Sequence, residues 1–133
     1  MSQEQIDVLC TVFELWNADD YDAILEHLDP AVQLESPLSS VAGEPYRGHA
    51  GIMDWRRDLY EQFAEWRLTV DSFREVGNAV IAVGHIALRG RSSGVSFDQR
   101  TAWVADFGAD HRMTRLRVFL EVDAALEAVG LAG

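Results

Sequence analysis

The chain has 133 residues, of which 48% are apolar and 25% charged, a balance that predicts one soluble domain (1–133) with its own core. Twenty-two acidic residues outnumber eleven basic ones, all arginine, and the formal net charge is −11. A phosphate backbone or an anionic membrane binds clustered positive charge. The composition therefore argues against nucleic acid and membrane partners.

The sequence also indicates a compartment. Cys10 is the only cysteine, which excludes an intrachain disulfide and favours a reducing environment. Residues Met1–Asp7 lack the basic region and apolar core of a signal peptide. No apolar run approaches the roughly 18 residues that a membrane span needs. We therefore expect a cytoplasmic protein.

Two helices are predicted at the amino end. Ser2 and Gln5 fit a capping box for the first. Its apolar residues recur at helical spacing: Ile6, Leu9, Phe13 and Trp16. Asp19 or Asp20 can cap a second, short helix that ends at Asp29-Pro30.

A strand, a loop and a third helix are predicted next. Residues 32–36 alternate as a brief strand that stops at Pro37, and 38–48 form a loop rich in Ser, Gly and Pro. The third helix carries one apolar face: Ile52, Trp55, Leu59, Phe63 and, by spacing, Trp66. Residues 68–73 predict a further strand, joined to the next by a tight hairpin at Gly77-Asn78.

The carboxyl half predicts an antiparallel meander of three strands, 79–88, 95–107 and 113–121, separated by turns at 91–94 and 108–111. A last helical turn, Ala124–Val129, can be capped by Asp123 and closed by Gly130.

Both faces of the first meander strand are apolar. One face carries Val80, Ala82, Gly84, Ile86 and Leu88, and the other carries Ile81, Val83, His85 and Ala87. Strands with two apolar faces are normally covered on both. A single layer of helices covers one face, so we expect a second copy of the chain to cover the other, giving a homodimer through the sheet face.

This order of elements resembles the nuclear transport factor 2-like (NTF2-like) superfamily, and its SnoaL-like branch above all. The segments that carry the resemblance span nearly the whole chain: 28–37, 46–52, 77–81, 91–95, 112–120 and 125–131. The resemblance implies an α+β fold, a cone-shaped half-barrel in which a curved mixed, mostly antiparallel sheet wraps around N-terminal helices. It also implies a ligand cavity at the open end. The superfamily includes enzymes, binding proteins and assembly factors, so the fold does not define a reaction.

Two enzyme families with this architecture serve as a test of activity. Ketosteroid isomerases have an aspartate base and two oxyanion donors. The resemblance places Ser36 at the position of the base, and Val12 and Trp103 at the positions of the donors. None of these side chains can do that chemistry. The proton relay of limonene-epoxide hydrolases would fall on Gly84, Ile86 and Val118. Neither activity is expected.

The candidate catalytic residues are therefore few. SnoaL-like cyclases use an acidic residue as acid and base, and the nearest carboxylate to their site is Glu121. Glu35 and Ser36 form a polar pair at the end of the first strand, and the two enzyme families disagree on which one faces the cavity. Glu35 as a solvated edge carboxylate is the simpler interpretation.

The resemblance to these families indicates which strand residues face inward, and the apolar helix faces add to them. Together they predict the lining of an apolar, aromatic pocket for a small organic molecule. Its residues are Val12, Trp16, Ser36, Trp55, Leu59, Thr101, Trp103, Leu116, Val118 and Leu120. The alternative for each is that it simply fills the core. Four tryptophans in the chain favour a flat ligand.

Polar residues elsewhere predict no further chemistry. His85 faces outward by parity, which suggests a dimer contact, and the residues that share this face are Arg89, Arg115, Arg117 and Phe119. No two histidines have metal-ligand spacing and no glycine-rich phosphate loop follows a strand, so we expect neither metal nor cofactor. The sequence leaves two functions open: a cofactor-free isomerase, cyclase or dehydratase, and a ligand-binding or assembly module without catalysis.

Overall fold

The computed structural model describes residues 2–36 and 44–130, with the backbone alone at residue 2. In chain order the elements are α1 (Ser2–Asn17), α2 (Tyr21–Leu25), β1 (Leu28–Glu35), β2 (Tyr46–Arg47), α3 (Gly48–Gln62), β3 (Phe63–Val76), β4 (Ala79–Gly90), β5 (Ser96–Phe107), β6 (Met113–Phe119) and α4 (Val122–Ala128). The predicted cap by the Ser2 side chain, Pro37 and the loop through residue 43 lie outside the described residues.

The second helix is shorter than the sequence predicts. Asp20 caps it, since its Oδ1 accepts a hydrogen bond from the Ala23 N–H at 3.4 Å. The helix ends at Leu25, so the predicted end at Asp29-Pro30 is wrong. Leu28 already pairs with β6, and the register of β1 shifts between Leu28 and Gln33. Pro30 lies within that shift, where its missing N–H interrupts no regular ladder.

The boundary between α3 and β3 also differs from the prediction. Phe63 and Trp66 belong to β3, and Trp66 pairs with Leu88 of β4. Their three-residue spacing fits a helix, whereas Trp66 and Leu68 also continue the alternation of a strand. These residues form a strand because they take part in the long antiparallel pairing of β3 with β4. Residues 46–47, predicted as loop, form the short strand β2 beside β1.

The strands form one curved, unclosed mixed sheet in the order β2-β1-β6-β5-β4-β3. β1 runs parallel to β6, and the other neighbours are antiparallel. The hairpin between β3 and β4 has the predicted two-residue turn, with Val76 opposite Ala79 and Gly77 at φ +61°. The predicted α+β half-barrel is confirmed.

The helices α1, α2 and α3 pack on the inner face of the sheet, where they bury one large apolar core. A second, smaller core lies on the outer face, formed by Ala79, Ile81, Ala102 and Val104 under Ala125 of α4. The expectation that helices cover one face alone is therefore wrong, because the last helix turns back onto the outer face. Asp123 lies inside α4 rather than capping it, since the N-cap is Glu121.

Beyond α4, the outer face of the sheet is uncovered around His85 and Ala87. The His85 side chain is 42% exposed, and its Nε2 lies 3.3 Å from Asp71 Oδ2. Ala87 is exposed on the same strand. His85 therefore faces outward as predicted.

Candidate functional site

The predicted pocket residues separate into two groups. Those from the helices and from the middle of the sheet meet in the interior, each no more than 9% exposed: Val12, Trp16, Trp55, Leu59, Thr101, Trp103, Leu116 and Val118. Ser36 and Leu120 lie instead where β1 and β6 end. Only Val118 borders both places.

The interior holds little empty space. All four tryptophans of the chain line one void of about 20 Å³, here called the tryptophan void. Trp16 and Trp55, whose ring centroids are 4.7 Å apart, also border a second void of about 30 Å³. Each void has room for roughly one water molecule. A ring-sized ligand does not fit there unless the side chains move.

Trp66 lines the tryptophan void and was missed by the sequence reasoning. The signal was present: Trp66, Leu68 and Val70 alternate with charged or polar residues, and this pattern places all three on one face of a strand. The predicted extension of α3 obscured it.

One polar atom in the interior is unpaired. Trp55 Nε1 is buried and has no hydrogen-bond partner among the described residues. A buried donor without a partner costs about 1–3 kcal/mol. A water molecule in either void could accept this hydrogen bond, because both voids border Trp55.

A larger cleft lies at the carboxyl ends of β1 and β6. Because these strands are parallel, they finish at the same edge of the sheet. The carboxyl-end cleft has a volume of about 540 Å³ and is lined by Glu35, Ser36, Glu44, Pro45, Arg117, Val118, Phe119, Leu120, Glu121 and Ala124. Binding sites for small molecules typically measure about 300–1,000 Å³. The cleft thus brings together the three candidate catalytic residues, Glu35, Ser36 and Glu121.

The structure distinguishes Glu35 from Ser36. Ser36 is 4% exposed and continues the inward parity of the buried Val32 and Leu34. Glu35 lies on the opposite face, where its Oε2 accepts hydrogen bonds from Arg115 Nε at 2.8 Å and Nη2 at 2.7 Å. Ser36 is therefore the inward member of the pair, and Glu35 is held in an ion pair.

Arg117 reaches the same cleft, although the sequence indicated a dimer contact. Its side chain is 17% exposed, with Nη2 3.8 Å from Asp106 Oδ2 and Cζ 6.0 Å from the centre of the Phe119 ring. Its Nε is buried without a hydrogen-bond partner among residues 2–36 and 44–130. No sequence signal placed Arg117 beside Glu35, since the parallel β1–β6 pairing is a property of the fold.

The clearest shift in protonation lies away from the cleft. Burial, together with the 2.9 Å hydrogen bond from the Tyr21 hydroxyl to Asp19, raises the pKa of Tyr21 above its ordinary value. The Arg56 guanidinium stacks over the rings of Tyr21 and Tyr60, with Cζ 4.2 Å and 4.7 Å from their centres. These contacts join Tyr21 of α2 to Arg56 and Tyr60 of α3.

No group of three or more His, Cys, Asp or Glu in residues 2–36 and 44–130 is placed to hold a metal ion. No helix in that part of the chain is long and apolar enough to cross a membrane.

Comparison with known proteins supplies the family. The model of the SnoaL-like domain matches residues 11–116, well over half of the chain. No curated protein matches the sequence.

Solved structures of similar proteins share the fold. An NTF2-like protein from Burkholderia pseudomallei is 20% identical, with a TM-score of 0.81 over 98% of this chain and 99% of that one. TerC, co-crystallised with polyporic acid, is 20% identical, with a TM-score of 0.80 over 95% and 98%. SalBIII, an epoxide hydrolase/cyclase-like enzyme of pyran ring formation in salinomycin, is 16% identical, with a TM-score of 0.74 over 88% and 90%. At these identities the likeness shows the fold alone, whereas the family model shows membership: the chain belongs to the SnoaL-like domain family.

Proposed function

We propose that this protein binds a small organic molecule with an apolar body in the carboxyl-end cleft. The volume of about 540 Å³ carries the proposal, because it suits such a molecule whereas the interior voids do not. Apolar side chains make up half of the lining: Pro45, Val118, Phe119, Leu120 and Ala124. The structural relatives that include an epoxide hydrolase/cyclase-like enzyme and a protein crystallised with polyporic acid add support.

The chemistry that fits this site is cofactor-free proton transfer, as in an isomerase, cyclase or dehydratase. Glu121 is exposed at the N-cap of α4 and lines the cleft, so it is the group we assign as acid and base. A serine such as Ser36 is too weak a base at neutral pH.

The second candidate function is binding without catalysis, and the Glu35–Arg115 ion pair favours it. Both hydrogen bonds from Arg115 fall on the same carboxylate oxygen, which makes Glu35 a structural group rather than a free base. Proton transfer then depends on Glu121 alone among the three candidates. Glu121→Gln separates the two functions, because it would abolish turnover and leave binding intact.

Binding is tested by equilibrium dialysis with 2-ethylnaphthalene, an apolar two-ring probe. We expect saturable binding to the wild type and a loss of about tenfold or more in affinity for Leu120→Asp, since burying an unpaired carboxylate beside the ligand is costly. The matched control is Val95→Asp at a side chain that is 61% exposed and outside the cleft. Equal affinity in Leu120→Asp and the wild type would contradict the assignment of the cleft.

We also propose that the chain forms a homodimer through the part of the outer sheet face that α4 leaves uncovered, around Ala87. Light scattering should give about twice the chain mass of 14.9 kDa. Ala87→Glu places a charge on that face and should shift the protein to a monomer. Ala109→Glu, at an exposed turn residue, is the control and should leave the mass unchanged. A monomeric wild type at micromolar concentration would refute the dimer.

A further inference from the structure

One charged group in the carboxyl-end cleft has hydrogen-bond donors that residues 2–36 and 44–130 leave unused. Arg117 lines the cleft, and its buried Nε has no partner among the described residues. Its Nη2 stands 3.8 Å from Asp106 Oδ2, which is too far for a hydrogen bond. A guanidinium carries five N–H donors and stays charged in proteins. The Arg117 side chain is 17% exposed, so its terminal Nη groups, rather than the buried Nε, can serve an acceptor from outside the chain.

The neighbouring charges leave Arg117 available for this role. Glu35, which lies opposite Arg117 in the β1–β6 ladder, is engaged by Arg115 at 2.7–2.8 Å. Asp106 is 34% exposed, and its side chain retains contact with solvent. The net charge of −11 is spread over the molecule and is screened beyond roughly 8–10 Å at physiological ionic strength. Glu44 and Glu121 also line the cleft, and Arg117 is the one basic side chain among its described lining residues. It is therefore the charged group that can donate to an acceptor there.

Apolar surface continues directly from this donor. The Phe119 ring centre is 6.0 Å from Arg117 Cζ, and Val118 and Leu120 line the same cleft. A ligand can therefore lay its body against these three side chains and present a polar end to the guanidinium. Such a combination of one convergent polar group and an apolar wall is typical of sites for small organic ligands.

We propose that Arg117 is the polar anchor of the cleft and that the ligand carries an oxygen acceptor on an aromatic body. The acceptor is a ketone or carboxylate oxygen, which receives a hydrogen bond from the Arg117 guanidinium. This assignment rests on the proposed binding function of the cleft and adds the chemical class of the ligand. A hydrogen bond from a charged donor corresponds to about tenfold in affinity.

The test compares 2-acetylnaphthalene with 2-ethylnaphthalene, two probes with the same ring system and side chains of similar size, of which only the first has a carbonyl oxygen. Equilibrium dialysis should show the wild type binding the ketone about tenfold more tightly. Arg117→Met should remove this preference and still bind the hydrocarbon. The control Arg89→Met removes an arginine that pairs with Glu65 at 3.0 Å, outside the cleft, and should keep the preference. Should Arg117→Met not fold, Arg117→Lys replaces it, and the preference should fall while the charge remains.

A third probe, 2-naphthoate, identifies the acceptor. Tighter binding of the naphthoate than of the ketone, lost at high salt, assigns a carboxylate ligand, and the reverse order assigns a ketone; both support the anchor. If both naphthalenes bind equally to the wild type, or if Arg117→Met keeps the preference, the anchor is refuted while the binding function stands. If neither binds at all, both proposals fall.

Discussion

Gly84→Ala is expected to destabilise the protein by about 3 kcal/mol, at the upper end of the usual cost of overpacking. A Cβ at residue 84 would lie 1.9 Å from the Thr69 carbonyl oxygen and 2.8 Å from Val70 Cα. Both obstacles are backbone atoms of the neighbouring strand, so no side-chain rotation can relieve the clash. The register of β3 shifts between Val70 and Ser72 at this place, and the bulged backbone there approaches the glycine. The added methyl group must therefore push β3 and β4 apart.

The matched control is Gly77→Ala in the hairpin between the same two strands. A Cβ there meets no atom within 4 Å, although φ is +61°. Its expected cost is the backbone strain alone, about 1–2 kcal/mol. Urea denaturation of both variants should give the larger loss for Gly84→Ala. A similar loss in the two would mean that β3 and β4 are less closely apposed at Gly84 than described.

The carboxyl half of the fold was predictable from the sequence because local signals define it. Turns rich in glycine or polar residues separate the three strands, and the structure places the strand ends within two residues of the predicted positions. The boundary at Trp66 was not predictable in the same way. Its spacing from Phe63 fits a helix as well as its spacing from Leu68 fits a strand, and only pairing with Leu88 decides between them.

The cleft was predictable only in part. Glu35, Ser36 and Glu121 were identified as candidates from the resemblance, whereas the ion pair of Glu35 with Arg115 joins residues 80 positions apart. Such a contact depends on the parallel pairing of β1 with β6, for which local periodicity carries no signal. The position of α4 likewise depends on the tertiary fold and not on a local sequence signal. Its apolar residues show that it must pack, but they do not show on which face of the sheet.

These differences relocate the site. Families with this architecture led us to expect a cavity bounded by tryptophans, and the chain fills that interior with its own rings. The ring centroids of Phe13 and Trp103 are 5.0 Å apart. The ring centroid of Trp16 lies within 5.0 Å of those of Tyr21 and Trp55. Aromatic pairs at these distances add to the stability that burial provides. The cleft that we propose as the binding site lies at the end of the sheet, and Val118 borders both this cleft and the tryptophan void.

Trp103→Ala tests this division between core and cleft. Trp103 is 1% exposed and is the largest of the fully buried side chains. The void beside it, at about 20 Å³, leaves it in contact with neighbours on nearly all sides. We therefore expect the full cost of a large-to-small change in a packed core, about 3–5 kcal/mol, measured by urea denaturation.

Trp66→Ala provides the comparison within the same void. Trp66 lines the tryptophan void but is only half-buried, so its removal leaves a space that solvent can partly fill, and a smaller loss is expected. A small loss at Trp103, below about 2 kcal/mol, would show that its surroundings are loosely packed and that the interior can open to admit a ligand. A loss of about 3–5 kcal/mol would instead show that Trp103 is packed on nearly all sides, so that the wild-type interior has no room for a ligand and the carboxyl-end cleft stays the proposed site.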